Sequence, residues 1–331
     1  MNGRLKIGLI GFGFMGKTHY ENSKKNPLID IKMISSRPED DIAAPTGVTL
    51  HDNWKAVIEN KGIDAVIIAT PTFTHKEIAV AAAKQKKHIF LEKPMALNVA
   101  QCNHIIKAAE ENNVKLFIGH VLRFWPSYST LKCQIEEDPS LIGDLKMVRL
   151  RRLSSFPNWS DWFIDKAKSG GVVLDLSIHD IDFACSLFGK LPKRVFCTTS
   201  DMVIKKTPVP AISCTTLDFD VGTAYCEASW AGIGNFPFTA DGEIIGDEGL
   251  IDVSGNNEAP IRYHGKNSSE SIDPYDNDGY YSELDSFAQC ILNEMDPAVK
   301  GTDGRNAVAV CNAAIKSSKE NRPVQLSEVL K

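Results

Sequence analysis

The sequence predicts an α/β protein of two domains. The first is built on a parallel sheet, and the second is an α+β domain with an open, mostly antiparallel sheet. Three observations carry this prediction. Apolar runs alternate with helical stretches up to His120. A glycine-rich turn joins the first apolar run to the first helix without a gap. From about Arg123 the pattern gives way to long alternating segments punctuated by glycine.

The glycine turn is the most informative stretch. Leu5 to Ile10 reads as a buried strand, Gly11-x-Gly13-x-x-Gly16 follows at once, and Lys17 to Asn22 continues as a helix. Gly11 permits the tight turn, Gly13 lets the backbone approach a pyrophosphate, and Gly16 lets the helix pack close to the sheet. The N–H groups and dipole of the helix start favour phosphate charge. This context predicts an N-terminal Rossmann dinucleotide-binding domain over residues 1–122, with Phe12, Phe14 and Met15 in the same turn. The bland alternative is a glycine-rich turn that binds nothing.

Ile29 to Arg37 alternates and reads as the second strand. An NAD-binding protein usually places an acid near its end to hold the ribose 2′-hydroxyl. Ser36 and Arg37 stand there instead, and a hydroxyl with a guanidinium suits a 2′-phosphate. NADP is therefore preferred over NAD, with Glu39, Asp40 and Asp41 close enough to supply the acid instead. Val48 to Leu50 is a short strand and Trp54 to Glu59 a short helix. Asp64 to Thr70 is a central parallel strand broken by Pro71. Thr74 is placed as the cap of a helix through about Lys86, packing on Ala79, Ala82 and Ala83. His88 to Leu91 is a strand ending in Glu92-Lys93-Pro94, Asn98 to Asn112 a helix, and Val114 to His120 the sixth strand. Ligands of such sheets bind beyond the carboxyl ends of the strands. Thr70, Pro71, His75, Glu92 and Lys93 are accordingly placed with Gly11 to Gly16 and Ser36-Arg37 around the cofactor.

The second domain, residues 123–331, opens with a helix from Pro126 to Glu137 and a strand from Leu145 to Leu153. A loop with Trp159, Asp161 and Trp162 follows. Gly170-Gly171 then lead into a helix carrying Asp175 and His179, four apart and so on one face, with Asp182 a turn further. Val195–200, 212–219, 223–230 and 238–245 read as antiparallel strands, with turns at Gly222, Gly242 and Gly249. His264 to Gly279 is polar and without period, and reads as a loop. Tyr280 to Leu292 and Asn306 to Lys319 read as amphipathic helices, the last of them able to pack back on the first domain. An open sheet with one bare face suggests a homodimer or homotetramer.

Composition narrows the function classes. The 331 residues are 43% hydrophobic and 24% charged, with a net charge of -5. No basic block accompanies that charge, which argues against nucleic acid as a partner. No apolar run approaches the roughly 20 residues of a membrane span. Met1-Asn2-Gly3-Arg4 leads directly into the first strand, so a cytoplasmic protein is expected. The eight cysteines form no C-x-x-C pair and mostly sit in apolar surroundings. They read as reduced and buried, and no metal site is expected.

Four pieces together resemble the glucose–fructose oxidoreductase / inositol dehydrogenase / rhizopine-catabolism (Gfo/Idh/MocA) family. They are Gly11-x-Gly13-x-x-Gly16-x-x-His19, Glu92-Lys93-Pro94, His120-Val121-Leu122-Arg123-Phe124, and Gly170-Gly171-x3-Asp175-x3-His179-x2-Asp182. The resemblance spans the chain. It implies a Rossmann domain followed by an α/β domain, oxidoreduction of sugars or polyols with a pyridine nucleotide, and dimers or tetramers built through the open sheets. The family often has an acid where Ser36 stands and glycine where Ser177 stands. Lys93, Asp175 and His179 match its catalytic set.

That match gives the three residues roles in reversible hydride transfer between a secondary alcohol carbon and C4 of nicotinamide. His179 would take the hydroxyl proton, because imidazole titrates near neutral pH. Lys93 would stabilise the developing alkoxide, and Asp175 would orient Lys93 or the substrate. A cleft between the domains is the expected place for the substrate. Glu92 reads as structural, with Pro94 fixing the turn that aims Lys93. His120, Arg123, Trp125, Trp162 and Tyr281 are substrate candidates, the aromatic ones as a stacking wall with Trp159 or equally as core. Two alternatives stay open on the same fold: a non-catalytic regulatory protein that binds sugar or nucleotide, and a glycoside hydrolase using tightly held NAD.

Overall fold

Burial on both faces explains why the first strands read as continuous apolar runs. In this computed structural model, β1 (Leu5–Ile10), β2 (Ile29–Ser35), β3 (Thr49–His51), β4 (Ala65–Ile68), β5 (His88–Glu92) and β6 (Leu116–Gly119) form one sheet in the order β3-β2-β1-β4-β5-β6. Every neighbouring pair is parallel. This is the doubly wound dinucleotide-binding order, whose reversal point lies between β1 and β4. The residues described are 3–37, 43–157, 160–200, 209–232, 237–254, 261–265, 269–272 and 278–330.

Helices α1 (Phe14–Lys25), α2 (Trp54–Glu59), α3 (His75–Lys84) and α4 (Val99–Glu111) connect the strands. Ala79, Ala82 and Ala83 are fully buried, as their spacing predicts. Thr74 does not cap α3, contrary to the expectation above. Its hydroxyl turns back to Thr70 Oγ1 and to the Pro71 carbonyl, because a 3₁₀ turn over Thr72–Thr74 already feeds the helix. Asn98 does cap α4, accepting from the Gln101 N–H.

The chain divides into two compact units, Met1–Val121 with Asp278–Arg305, and Leu122–Asn277 with Asn306–Lys331. The first crossing falls one residue from the boundary read at 122/123. The return of 278–305 to the first unit lay outside that reading, because alternation of strands and helices carries no signal for it.

The second unit holds α5 (Pro126–Glu137), α6 (Lys166–Ser169) and α7 (Ile178–Phe188), against a nine-stranded sheet. Its strands are β7 (Leu145–Ser155), β8 (Arg194–Ser200), β9 (Ile212–Asp218), β10 (Thr223–Gly232), β11 (Thr239–Gly246), β12 (Gly249–Ser254), β13 (Ile261–Gly265), β14 (Ser269–Ile272) and β15 (Val324–Gln325). Their order is β14-β13-β12-β11-β7-β10-β9-β8-β15. All pairs are antiparallel except β7 with β10. Burial alternates along β9, so one sheet face is packed and the other is partly bare.

Two expectations are corrected here. Gly242 is not in a turn but inside β11, where a Cβ would lie 2.7 Å from Leu150 Cδ2 on the neighbouring strand. The polar stretch from His264 contains the end of β13 and all of β14; β14 is an edge strand exposed to water and needs no apolar alternation.

The remaining helices are α8 (Gly279–Leu292), in the first unit, and α9 (Gly301–Glu320). Among the described residues no helix is long and apolar enough to cross a membrane. All eight cysteines are free thiols, five of them buried and Cys133 exposed. Burial pushes the Cys102 thiol up to about 12, so it packs as a small hydrophobe.

Candidate active site

The glycine turn behaves as its spacing predicts. Gly11 has φ +92°, and a Cβ there would lie 2.6 Å from the Ala69 carbonyl oxygen. A Cβ on Gly16 would collide with the Gly11 carbonyl, so this glycine sets how closely α1 approaches the turn. Gly13 is different, since a Cβ there meets no atom within 4 Å. Its side of the turn, at the start of a twelve-residue helix, is open where a pyrophosphate would lie. Phe12 is buried, whereas Phe14 is 64% exposed. The residues present therefore fit a dinucleotide.

At the end of β2, Ser36 is buried and its N–H donates to the His51 carbonyl; Arg37 is exposed. Glu39, Asp40 and Asp41 lie outside the described residues.

A second group of site residues follows β5. From Ile89 to Ala96 every residue is buried except Lys93. The turn that carries it is pinned at both ends. The Glu92 carboxylate accepts the Lys93 N–H through Oε2 at 3.0 Å and meets His19 Nε2 through Oε1 at 2.6 Å. The Lys93–Pro94 peptide is cis. The Pro94 carbonyl lies 2.9 Å from His75 Nδ1, whose Nε2 lies 2.8 Å from the Thr70 carbonyl. His75 thus bridges the loops after β4 and β5. Burial holds its ring below the usual imidazole range, and a neutral ring has only one N–H for these two carbonyls. Of the residues assigned to the cofactor, Thr70 and Pro71 are half-buried, while His75 and Glu92 are buried.

The third group is in the second unit. Gly170 and Gly171, with φ of +71° and +73°, turn the chain into a helical run that opens with a π turn over Val173–Ser177 before α7. The i→i+5 bonding adds a residue to that turn. Residues four apart are then closer to one line than the α-helical 3.6 spacing leaves them. Over 171–184 only Asp175 and His179 escape burial. An acid and an imidazole that alone are partly open over an otherwise buried stretch, 171–184, form the arrangement a proton-transfer site needs.

Two ion pairs hold this helix. Arg152 and Asp180 are both fully buried and joined at 2.7 Å. Burial pushes the Asp180 carboxyl up, and the Arg152 charge opposes that shift. Asp182 takes Arg123 through two bonds of 2.7 Å, to Nε and Nη2. The fork that sequence reading placed near substrate is therefore engaged with Asp182, the last acid of the motif that carries Asp175 and His179. Among the other substrate candidates, His120 is fully buried in the first unit. Trp125 stacks on Phe238 at 6.3 Å and Trp162 on Phe163 at 4.0 Å. Tyr281 is half-buried on α8, and Trp159 lies outside the described residues.

Sequence reading missed Glu283. It is fully buried on α8, and one of its carboxylate oxygens, one from Glu92 and a ring nitrogen of His19 all lie within 4.8 Å of one another. A signal was present: Glu283 falls in phase with Leu284, Phe287 and Ala288 on the apolar side of an amphipathic helix, where an acid is costly.

Comparison with known proteins agrees with this geometry. The model of an oxidoreductase family with an NAD-binding Rossmann fold matches residues 5–120, and that of the family's C-terminal α/β domain matches residues 132–326. The chain is 30% identical to myo-inositol 2-dehydrogenase of Thermotoga maritima, over 98% of this chain and 100% of that protein. It is 29% identical to scyllo-inositol 2-dehydrogenase (NAD(+)) of Bacillus subtilis, over 98% of this chain and 97% of that one. The crystal structure of a probable dehydrogenase from Thermotoga maritima matches with a TM-score of 0.85 at 29% identity, covering 98% of this chain and 100% of that one. With a glycine turn open for a dinucleotide and both domain models matched in order, the chain belongs to the Gfo/Idh/MocA oxidoreductase family, an NAD(P)-binding Rossmann domain followed by the family's C-terminal α/β domain.

Proposed function

We propose that this protein is an NAD(P)-dependent dehydrogenase that interconverts a secondary alcohol and a ketone on a polyol or sugar. The observation that carries the reading is that Asp175 and His179 alone are partly open over the buried stretch 171–184, together with Lys93 on a pinned turn. In this reading the three act on one substrate molecule. His179 takes the hydroxyl proton, and the Lys93 ammonium donates a hydrogen bond to the same oxygen as charge develops on it. Asp175 orients the ammonium and offsets its charge. The nicotinamide, when bound, supplies the hydride acceptor. The names of two relatives, both inositol dehydrogenases, favour a cyclic polyol. A screen of inositols and aldoses with NADP⁺ and with NAD⁺ tests the reading. Formation of reduced nicotinamide is expected with at least one of them, and its absence with all of them counts against it.

The charge at the end of β2 favours NADP over NAD. Calorimetric titration is expected to give tighter binding of NADPH than of NADH. Arg37→Ala weakens NADPH about tenfold and leaves NADH unchanged, one lost charge-assisted contact being worth roughly 1.5 kcal/mol. Gly13→Val weakens both without unfolding the protein, because its side chain enters open space. Equal loss of both nucleotides in Arg37→Ala would show that the guanidinium does not read the 2′-phosphate.

The partly bare face of the nine-stranded sheet supports assembly through that face. Arg149 and Glu243, 3.3 Å apart, and Arg151 and Glu227, 3.6 Å apart, pair across its strands. Sedimentation is expected to give a dimer or tetramer, and a monomer at micromolar concentration contradicts this.

A further inference from the structure

The turn that carries Lys93 rests on a buried group of side chains to which hydride transfer gives no part. His19 comes from α1, Glu92 from the end of β5 and Glu283 from α8, all in the first unit. His19 and Glu283 are fully buried and the Glu92 side chain is 7% exposed. The group is enclosed by the rings of Phe90 and Tyr280, both edge-on to His19. An ionised carboxylate only accepts, so His19 Nε2 carries the proton of its 2.6 Å bond to Glu92. Among the described residues, His19 Nδ1 and both oxygens of Glu283 have no hydrogen-bond partner.

One oxygen-and-nitrogen donor set of this kind could hold a divalent cation. The spacing argues otherwise. Two ligands about 2.1 Å from one ion stay roughly 3 Å apart, and His19 and Glu92 are closer than that. Their separation is that of a charge-assisted hydrogen bond. The second acid is then best held as a neutral carboxyl, since a second anion beside Glu92 would add repulsion to the cost of burial. Burial, the Glu92 charge and the Asp278 charge all push Glu283 well above the usual carboxylate range.

We propose that His19 and Glu283 are positioning residues for Lys93. They hold the Glu92 carboxylate, whose second oxygen takes the Lys93 N–H, and so tie the turn bearing the lysine to the helix that begins at the glycine turn. The inference rests on the role given to Lys93 above. It makes α1 serve two ends: its first turn faces the nucleotide phosphates, and the residue one turn after Gly16 fixes the catalytic turn. Glu283 contributes by staying neutral. Ionised, it would repel Glu92 and loosen the grip on Lys93. The charged and titratable groups facing it are Glu92 from β5, His19 from α1 and Asp278 at the start of its own helix.

The test compares His19→Leu with His19→Gln, whose amide N–H can replace Nε2. His19→Leu is expected to bind NADPH within threefold of the parent while kcat falls tenfold or more, and His19→Gln to recover most of the loss. Equal kcat in the two variants overturns the proposal. Lys93→Ala, measured alongside, separates the failures. If it retains turnover, the role of Lys93 is wrong; if it is inactive while His19→Leu is fully active, only the positioning role is wrong. Should His19→Leu not fold, Glu283→Gln decides. The native state keeps on Glu283 a proton that the unfolded chain releases, so parental stability falls as pH rises above about 4.5 toward the raised native value. The melting temperature of Glu283→Gln relative to the parent is therefore expected to climb between about pH 5 and pH 8. A constant difference across that range means that Glu283 is not held neutral.

Discussion

Lys93→Ala is expected to lower kcat by about 10²–10³, the loss measured when one donor to a developing oxyanion is removed. The geometry makes this a clean substitution. The Lys93 backbone is fixed by Glu92, and its flanking residues are buried, so the change removes an ammonium and its stem without disturbing the core. Nucleotide binding should stay within threefold, since the glycine turn is untouched. Lys93→Arg should not restore activity, because a planar fork does not reproduce a compact charge on a short reach. Steady-state rates beside calorimetric nucleotide affinities check this. Parental kcat in Lys93→Ala would remove the lysine from the chemistry.

His179→Ala is expected to cost about 10²–10⁴ in kcat, the range attributed to a positioned general base. Ile178 and Asp180, its neighbours, are buried while His179 reaches the surface. Thermal stability should therefore change little, by less than about 0.5 kcal/mol. The pH dependence gives a second readout. The parental rate should fall on the acid side as the imidazole protonates, and His179→Ala should lose that limb while its residual rate keeps rising with hydroxide. A variant with the parental acid limb would place the base elsewhere. The same measurement on Asp180→Asn addresses the frame instead. That change weakens a fully buried pair with Arg152, and its effect belongs to stability before rate.

How much of this was legible in the sequence depends on how local each signal is. The glycine turn was readable because its three glycines fall directly between a strand and a helix; Gly11 and Gly16 answer to close contacts and Gly13 to open space. That Asp175 and His179 share a face was readable from their spacing, although the π turn before α7 was not. Nothing in Val173 to Ser177 announces i→i+5 bonding, which follows two left-handed glycines in the chain. Arg123 looked available for substrate because its partner, Asp182, lies 59 residues away. Edge strand β14 and the end of β13 beside it were invisible for the opposite reason: their side chains are largely exposed and need no apolar pattern. Glu283 was hidden by averaging, one acid in a helix whose overall pattern is amphipathic, although its phase with Phe287 marked it.

Transfer of the hydride itself is tested most directly by label. A polyol that the protein oxidises is prepared with deuterium on the reacting carbinol carbon and supplied with the oxidised nucleotide. The account predicts that the label appears at C4 of the reduced nicotinamide, one atom for each ketone formed, and that its transfer slows with Lys93→Ala and His179→Ala. Deuterium released to water, with ketone formed and an unlabelled nucleotide, would contradict direct hydride transfer and with it the roles given to the three residues.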